Sequence, residues 1–278
     1  MTDARIMEAP GIIDKDPMTP IWQDQRERWD GVARTMPDIF HTSSTQYYRR
    51  REIALLQRSF GPMKGKRVLK LDLWNEAVNT RILHWMKSQG AEAFGLDFSS
   101  VVTSRALQNS GETEGPLHLV QSDIRHIPFA TNSFDFVYTM GTIEHIDEYQ
   151  DAVDEVHRVL KVGGKTIIGV PHKWNIFLRP LLVNALDLFG KYPYSPEKSF
   201  SYGELRRVVE KCGLRVRNRT GIMAFPGILR MAELFLYKRK IPLYRLVRPI
   251  LWPFDRLESR WEWPGLFGYL IALVAEKV

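Results

Sequence analysis

The sequence predicts an α/β fold: a mostly parallel seven-stranded sheet with helices on both faces and helical cap insertions. Two observations carry this. Seven short apolar runs, each bounded by turn-forming residues, read as strands. Stretches with helical apolar spacing alternate with most of them, so neighbouring strands need crossover connections and run parallel. With 278 residues the chain is long enough for one large α/β domain, or one domain with appendages.

The elements follow in order. Residues 1–20 contain Pro10, Pro17 and Pro20 and little periodicity, so a loose arm is expected. Ile21 to about Phe60 reads as helical and includes the cluster Tyr47-Tyr48-Arg49-Arg50-Arg51. Residues 1–60 thus form an N-terminal arm and helical cap. Gly61-Pro62 and Gly65 then punctuate the chain, and Arg67–Leu73 is the first strand. A helix over Thr80–Gln89, closed by Gly90, leads to a strand over Ala93–Asp97. A helix over Ser100–Asn109 and strands over Leu117–Gln121 and Phe134–Tyr138 come next. A helix over Tyr149–Leu160 ends at Gly163-Gly164, and Lys165–Val170 is a strand. Ser201–Cys212 reads as a helix, Leu214–Arg219 as a strand, and Phe267–Ala275 as the last strand. The core is expected over 61–221 and 265–278, with 222–264 inserted before the final strand.

Composition bounds the function. Hydrophobic residues make up 44% and charged residues 26%, as in ordinary globular proteins. The single cysteine, Cys212, excludes an internal disulfide framework and a cysteine-based zinc cluster, and no metal is expected. The beginning of the chain lacks the basic-then-apolar pattern of a secretory signal. No uncharged apolar run reaches the roughly 18 residues that span a bilayer. A cytoplasmic protein is expected. The net charge of +7 suits either a solvated basic surface or attraction to an anionic partner.

A mostly parallel sheet binds ligands beyond the carboxyl ends of its strands. The residues just after each strand are therefore the candidates. Asp97 ends the second strand, where a carboxylate can accept both hydroxyls of a ribose; it can equally cap the helix that follows. Asp123, after the third strand, can accept from an exocyclic amine such as adenine N6, or simply make a turn. Met140-Gly141 ends the fourth strand, and glycine there lets backbone approach a ligand. His145 stands where a general base could reach a substrate proton; a structural histidine bonded to Glu144 or to backbone is the alternative.

These residues, with Ile127-Pro128-Phe129, Ser133-Phe134-Asp135, Glu144-His145-Ile146 and Glu155–Gly164, resemble the type 11 class I methyltransferases. The resemblance covers about residues 64–172. It implies a Rossmann-like fold that binds S-adenosylmethionine (SAM). It implies further that Asp97, with Phe98 after it, binds the cofactor ribose. Asp123 and Ile124 would bind the adenine, and Met140 and Gly141 would line the methionine end.

The chain departs from that family at its first motif. The family has an acidic residue at the end of strand one and then a loop with three alternating glycines. Here the stretch is Lys70-Leu71-Asp72-Leu73-Trp74-Asn75-Glu76-Ala77, with no glycine. Either Lys70 replaces the acid, or Asp72 serves as the acid with the loop slipped by two. In the second register Asp72 could contact the SAM ammonium, and Asn75 or Glu76 could supply polar contacts. Asn75 as a helix cap is the structural alternative.

Substrate choice falls to the caps. Trp174–Tyr192 is apolar, with Arg179, Asn184 and Asp187 interspersed. Residues 222–264 mix aromatic side chains with eight basic and four acidic residues. Such mixing suits an anionic lipid surface or a lid over a greasy substrate, while packing on the sheet with arginines in water is the plain alternative. No compact stacking motif supports a nucleic acid partner. The expectation is a SAM-dependent methyltransferase for a small, lipid-like or lipid-linked acceptor such as an isoprenoid or glycolipid, peripheral at the inner membrane face through 222–264. The alternative is a methyltransferase-fold protein with altered or lost SAM use, acting as a non-methylating enzyme or a membrane-associated binding partner.

Overall fold

The structure, a computed structural model, describes residues 20–109, 117–190 and 197–278. The expected arm before Pro20 and the end of the apolar stretch at Tyr192 lie outside the described residues. Seven strands form one sheet: β1 (Arg67–Leu71), β2 (Glu92–Asp97), β3 (His118–Gln121), β4 (Phe134–Met140), β5 (Leu160–Pro171), β6 (Leu214–Ile222) and β7 (Leu270–Lys277). Their order is β3-β2-β1-β4-β5-β7-β6, and β7 runs antiparallel to both neighbours while the other pairings are parallel. The chain winds outward from β1 to β3 and returns to β4 on the other side of β1. That reversal opens a crevice at the carboxyl ends of β1 and β4.

Alternating residues along β1 feed two cores. Val68 packs with Leu55, Leu56, Leu83 and Val102 on one face, whereas Leu69 and Leu71 pack with Val137, Val153 and Val156 on the other. The first face is covered by α2 (Ser43–Phe60), α4 (Ile82–Ser88) and α5 (Ser100–Gln108), the second by α6 (Tyr149–Val159) and α8 (Tyr202–Lys211). Ser201 opens α8 with a capping box, its hydroxyl and the Glu204 carboxylate each accepting the other's backbone N–H.

The structure corrects several boundaries. The single helix expected over 21–60 is two, α1 (Pro20–Thr35) and α2, separated by a turn that contains Pro37. The helix expected over Thr80–Gln89 is α4 (Ile82–Ser88), and a short helix that was not expected, α3 (Trp74–Val78), precedes it, with Arg81 between them in the left-handed region at φ 53°. The last strand begins at Leu270, three residues late, because Trp263–Phe267 coils into a 3₁₀ turn just before it.

The remaining helices are α7 (Arg179–Leu188), α9 (Gly227–Lys238) and α10 (Val247–Arg260). The inserted segment holds α9 and α10, and three of its four acids make contacts within the fold. Glu233 is fully buried and accepts the N–H groups of Ser43 and Ser44 at 2.7 and 2.9 Å, so it caps α2 from a distant helix. Glu258 accepts the Tyr47 hydroxyl and the N–H groups of Met223 and Ala224. Asp255 pairs with Arg50 and Arg51. With three of its four acids committed to these internal contacts, the segment's outer surface is more basic than its composition.

Candidate cofactor and acceptor site

A cavity of about 920 Å³ opens above the carboxyl ends of β1, β2 and β4. Asp72, Asn75, Asp97, Phe98, Asp123, Ile124, Met140, Gly141 and His145 all line it. Glu76 does not. It is fully buried beneath the loop, where its carboxylate accepts the Leu83 N–H at 2.7 Å and pairs with Lys70 Nζ at 3.2 Å. The expected polar contact from Glu76 is therefore redirected into the fold: its side chain anchors α4.

The glycine-free turn is organised by a buried ion cluster. β1 ends at Leu71, and Asp72 turns the chain at φ 77°, a left-handed conformation in which glycine would be unstrained. Lys70 shares its face of β1 with Val68 and is fully buried, with Nζ 2.6 Å from the Asp72 carbonyl and 3.2 Å from the Asp72 carboxylate. Burial alone would lower the Lys70 pKa, but the surrounding Asp72, Glu76 and Glu52 carboxylates raise it above the ordinary lysine value. The Thr142 hydroxyl and the Trp74 N–H also bind the Asp72 carboxylate, at 2.9 and 3.2 Å. Between Asp72 and Gly90 the chain forms α3 and α4, joined through left-handed Arg81.

Behind the loop, Glu52 of α2 is buried and accepts the Tyr138 hydroxyl at 2.6 Å. Burial pushes its carboxyl up to about 7, against hydrogen bonds from Thr80 and Tyr138. Asn75 lies inside α3, with its amide 3.4 Å from Glu52 and its oxygen accepting from Asn79 at 2.7 Å. It is not a helix cap.

Asp97 receives the Leu73 N–H on one oxygen and the Ser99 N–H on the other, both at 2.8 Å. The capping role falls to Ser99, whose hydroxyl accepts the Val102 N–H at 3.1 Å. Each Asp97 oxygen keeps a lone pair for a ligand hydroxyl. Burial pushes this carboxyl up to about 7, opposed by the two N–H bonds. Asp123 is held by Arg125 through Nε at 3.0 Å and Nη2 at 2.5 Å. Gly141 takes φ 82°, which favours glycine, and leaves the end of β4 open to a close neighbour.

An aromatic wall faces these groups. Trp29 of α1 meets Trp74 edge-on at 5.7 Å and the His145 ring at 5.3 Å, and all three residues line the cavity. Gln25 donates to the His145 carbonyl at 2.7 Å, fixing α1 over the site. The sequence reading did not single out Trp29, Tyr48, Arg230, Glu144 or Glu197 as site residues, although each lines the cavity. Trp29 and Arg230 come from α1 and α9, outside the loops that follow β1, β2, β3 and β4, and no local pattern marks them.

These residues fit SAM. The free lone pairs of Asp97, the open backbone at Gly141 and a cavity large enough for the cofactor and part of an acceptor agree with it. The loop that normally approaches through glycine backbone here offers the Asp72 carboxylate and the Trp74 ring.

Comparison with known proteins agrees with this geometry. Residues 76–168 match the family described as a methyltransferase domain. The chain is 23% identical over 239 residues to the demethylmenaquinone methyltransferase of Staphylococcus aureus strain JH9, covering 78% of this chain and 93% of that protein. Among solved structures, a putative sarcosine dimethylglycine methyltransferase from Galdieria sulphuraria superposes with a TM-score of 0.58 at 17% identity, covering 92% of this chain and 97% of that one. A SAM-dependent methyltransferase from Mesorhizobium loti gives 0.55 at 16% identity, covering 82% and 98%.

Proposed function

We propose that the chain, as a class I SAM-dependent methyltransferase of the type 11 kind, methylates a lipid-like or lipid-linked acceptor that it meets at an anionic membrane surface. The carrying observation is the rim of the cavity. Ile228 and Phe235 of α9 line the cavity yet are 52% and 56% exposed, and the exposed Lys238 and Arg239 stand beside them. Val183 and Leu186 of α7 line the cavity nearby. Outside it, Leu188, Phe189, Leu246, Trp252 and Trp261 are also exposed. Apolar and basic side chains mixed around an opening suit a greasy acceptor lying in an anionic interface. Among the described residues no helix is long and apolar enough to cross a membrane, and the contact proposed here is peripheral, through this rim.

When bound, SAM supplies an electrophilic methyl group on a sulfonium. The chain's residues would then act mainly by positioning. Asp97 accepts the ribose hydroxyls on its free lone pairs. Asp123 and Ile124 hold the adenine end, and Met140 and Gly141 the methionine end. Trp74 and Trp29 present aromatic rings whose faces attract a cation, which offsets the loss of glycine backbone contacts. α1, locked by Gln25, keeps water from the reacting end. His145 packs its ring on Trp29, an orienting contact that favours a structural part for it over that of a general base.

The test is transfer of radiolabelled methyl from SAM into the organic-extractable fraction of a membrane extract. Label is expected in a lipid-soluble product, and the yield should fall when Lys238 and Arg239 become Glu. Label only in the aqueous phase would refute the lipid-like acceptor.

A further inference from the structure

We propose that Glu144, beside the Arg179–Glu197 pair, is the polar end of the acceptor site and receives a neutral oxygen of the acceptor, a hydroxyl or a carbonyl. The inference rests on the methyltransferase reading and adds the chemistry of the acceptor group.

Glu144 stands in the 3₁₀ turn Ile143–His145, directly after β4 and Gly141. It forms part of the cavity wall and is 5% exposed. Its Oε2 has no hydrogen-bond partner. Its other oxygen comes within 3.6 Å of where a side chain on Gly141 would begin. The turn is fixed from outside by Lys198, whose N–H donates to the Glu144 carbonyl at 3.0 Å. A buried carboxyl oxygen without a partner is costly, and in a cavity wall its natural complement is a ligand.

The neighbours do not provide that complement. Arg179, 3% exposed, places both Nη atoms on the Glu197 carboxylate, and Nη2 also donates to the Tyr269 hydroxyl at 2.6 Å. Its guanidinium lies 3.9 Å from the centre of the Tyr269 ring. The arginine charge is thus matched by Glu197. Burial first, then the Glu197 and Asp72 carboxylates, raise the Glu144 carboxyl well above the ordinary range, with Arg179 opposing. That shift favours the neutral acid, which offers one donor and spare acceptor capacity. A neutral acid beside a neutralised ion pair holds no surplus positive charge. A carboxylate or phosphate placed there would lose its water without gaining a counter-charge. A hydroxyl or carbonyl oxygen matches the site.

The probes are three chains of one length: farnesol, farnesoate and the hydrocarbon farnesene. Binding is read from tryptophan fluorescence, since Trp29 and Trp74 line the cavity, and SAM binding is measured separately by calorimetry. Farnesol should bind about tenfold tighter than either relative, the size of one buried hydrogen bond. Glu144→Leu should erase that preference with SAM affinity unchanged. Glu144→Gln, isosteric and neutral, should keep it within about threefold. Equal binding of the three probes, binding of none, preference for farnesoate, or a preference that survives Glu144→Leu would overturn the proposal. Loss of SAM binding with the farnesol preference intact would instead sink the methyltransferase reading alone.

Discussion

Replacing Lys70 should expose how the loop is held. Lys70→Met removes the cation between Asp72 and Glu76, each 3.2 Å from Nζ, inside a site where the lysine is fully buried. Deleting one partner of a buried pair costs about 3–5 kcal/mol, because the other charge is left without compensation. For a chain of this size that lowers Tm by roughly 10 °C. Lys70→Asp should be worse, since it adds a carboxylate beside Asp72, Glu76 and Glu52. The pH dependence has a definite sign. The folded-state pKa of Asp72 is already raised by burial despite Lys70. Removing Lys70 raises it further. A group with a raised folded pKa favours the folded state at low pH, and that contribution is lost as pH rises through the folded value. The deficit of Lys70→Met should therefore shrink between pH 7 and pH 5. Urea titrations of the wild type and both variants at the two pH values measure it. A Lys70→Asp protein as stable as the wild type, or a deficit independent of pH, would refute the ion-cluster account.

Two further outcomes are expected. In the ribose-binding role proposed for it, Asp97 must be ionised to accept two hydroxyls, and burial pushes its carboxyl up to about 7. SAM affinity should therefore rise up to about tenfold per pH unit below 7 and level off above it, with proton release on binding; Asp97→Asn should weaken SAM at every pH and flatten the profile, as calorimetry in two buffers would show. Converting Lys238 and Arg239 to Glu reverses two exposed charges on the cavity rim and should weaken binding to phosphatidylserine vesicles by at least about 25-fold, from about 1 kcal/mol per basic residue, with no effect on neutral vesicles. Sedimentation with the vesicles reads this directly.

The fold was legible because its signals are local. Seven apolar runs between turn residues marked all seven strands, and the helix read from Ser201 begins within one residue of α8. The strand-end positions were legible too, and nine of the ten residues they suggested line one cavity. What stayed hidden depends on partners distant in sequence. The start of α2, where it parts from α1, is capped by Glu233, about 190 residues away. Glu76 looked like a loop ligand, yet Lys70, six residues earlier, draws it inward. Trp29 reaches the site only because α1 folds back over the strand ends, and Arg179 bonds the Tyr269 hydroxyl from 90 residues away.

The central claim is that a loop without glycine still holds SAM, with Trp74 contributing attraction for its positive charge. Calorimetric titration of SAM and of its uncharged product S-adenosylhomocysteine, into the wild type and Trp74→Leu, tests it most directly. Saturable one-to-one SAM binding is expected for the wild type. The substitution should weaken SAM by about 2- to 30-fold, the range of a cation–π contact, and leave the product nearly unchanged. Folded wild-type protein that binds neither ligand, or a Trp74→Leu protein that binds SAM more tightly, would contradict it.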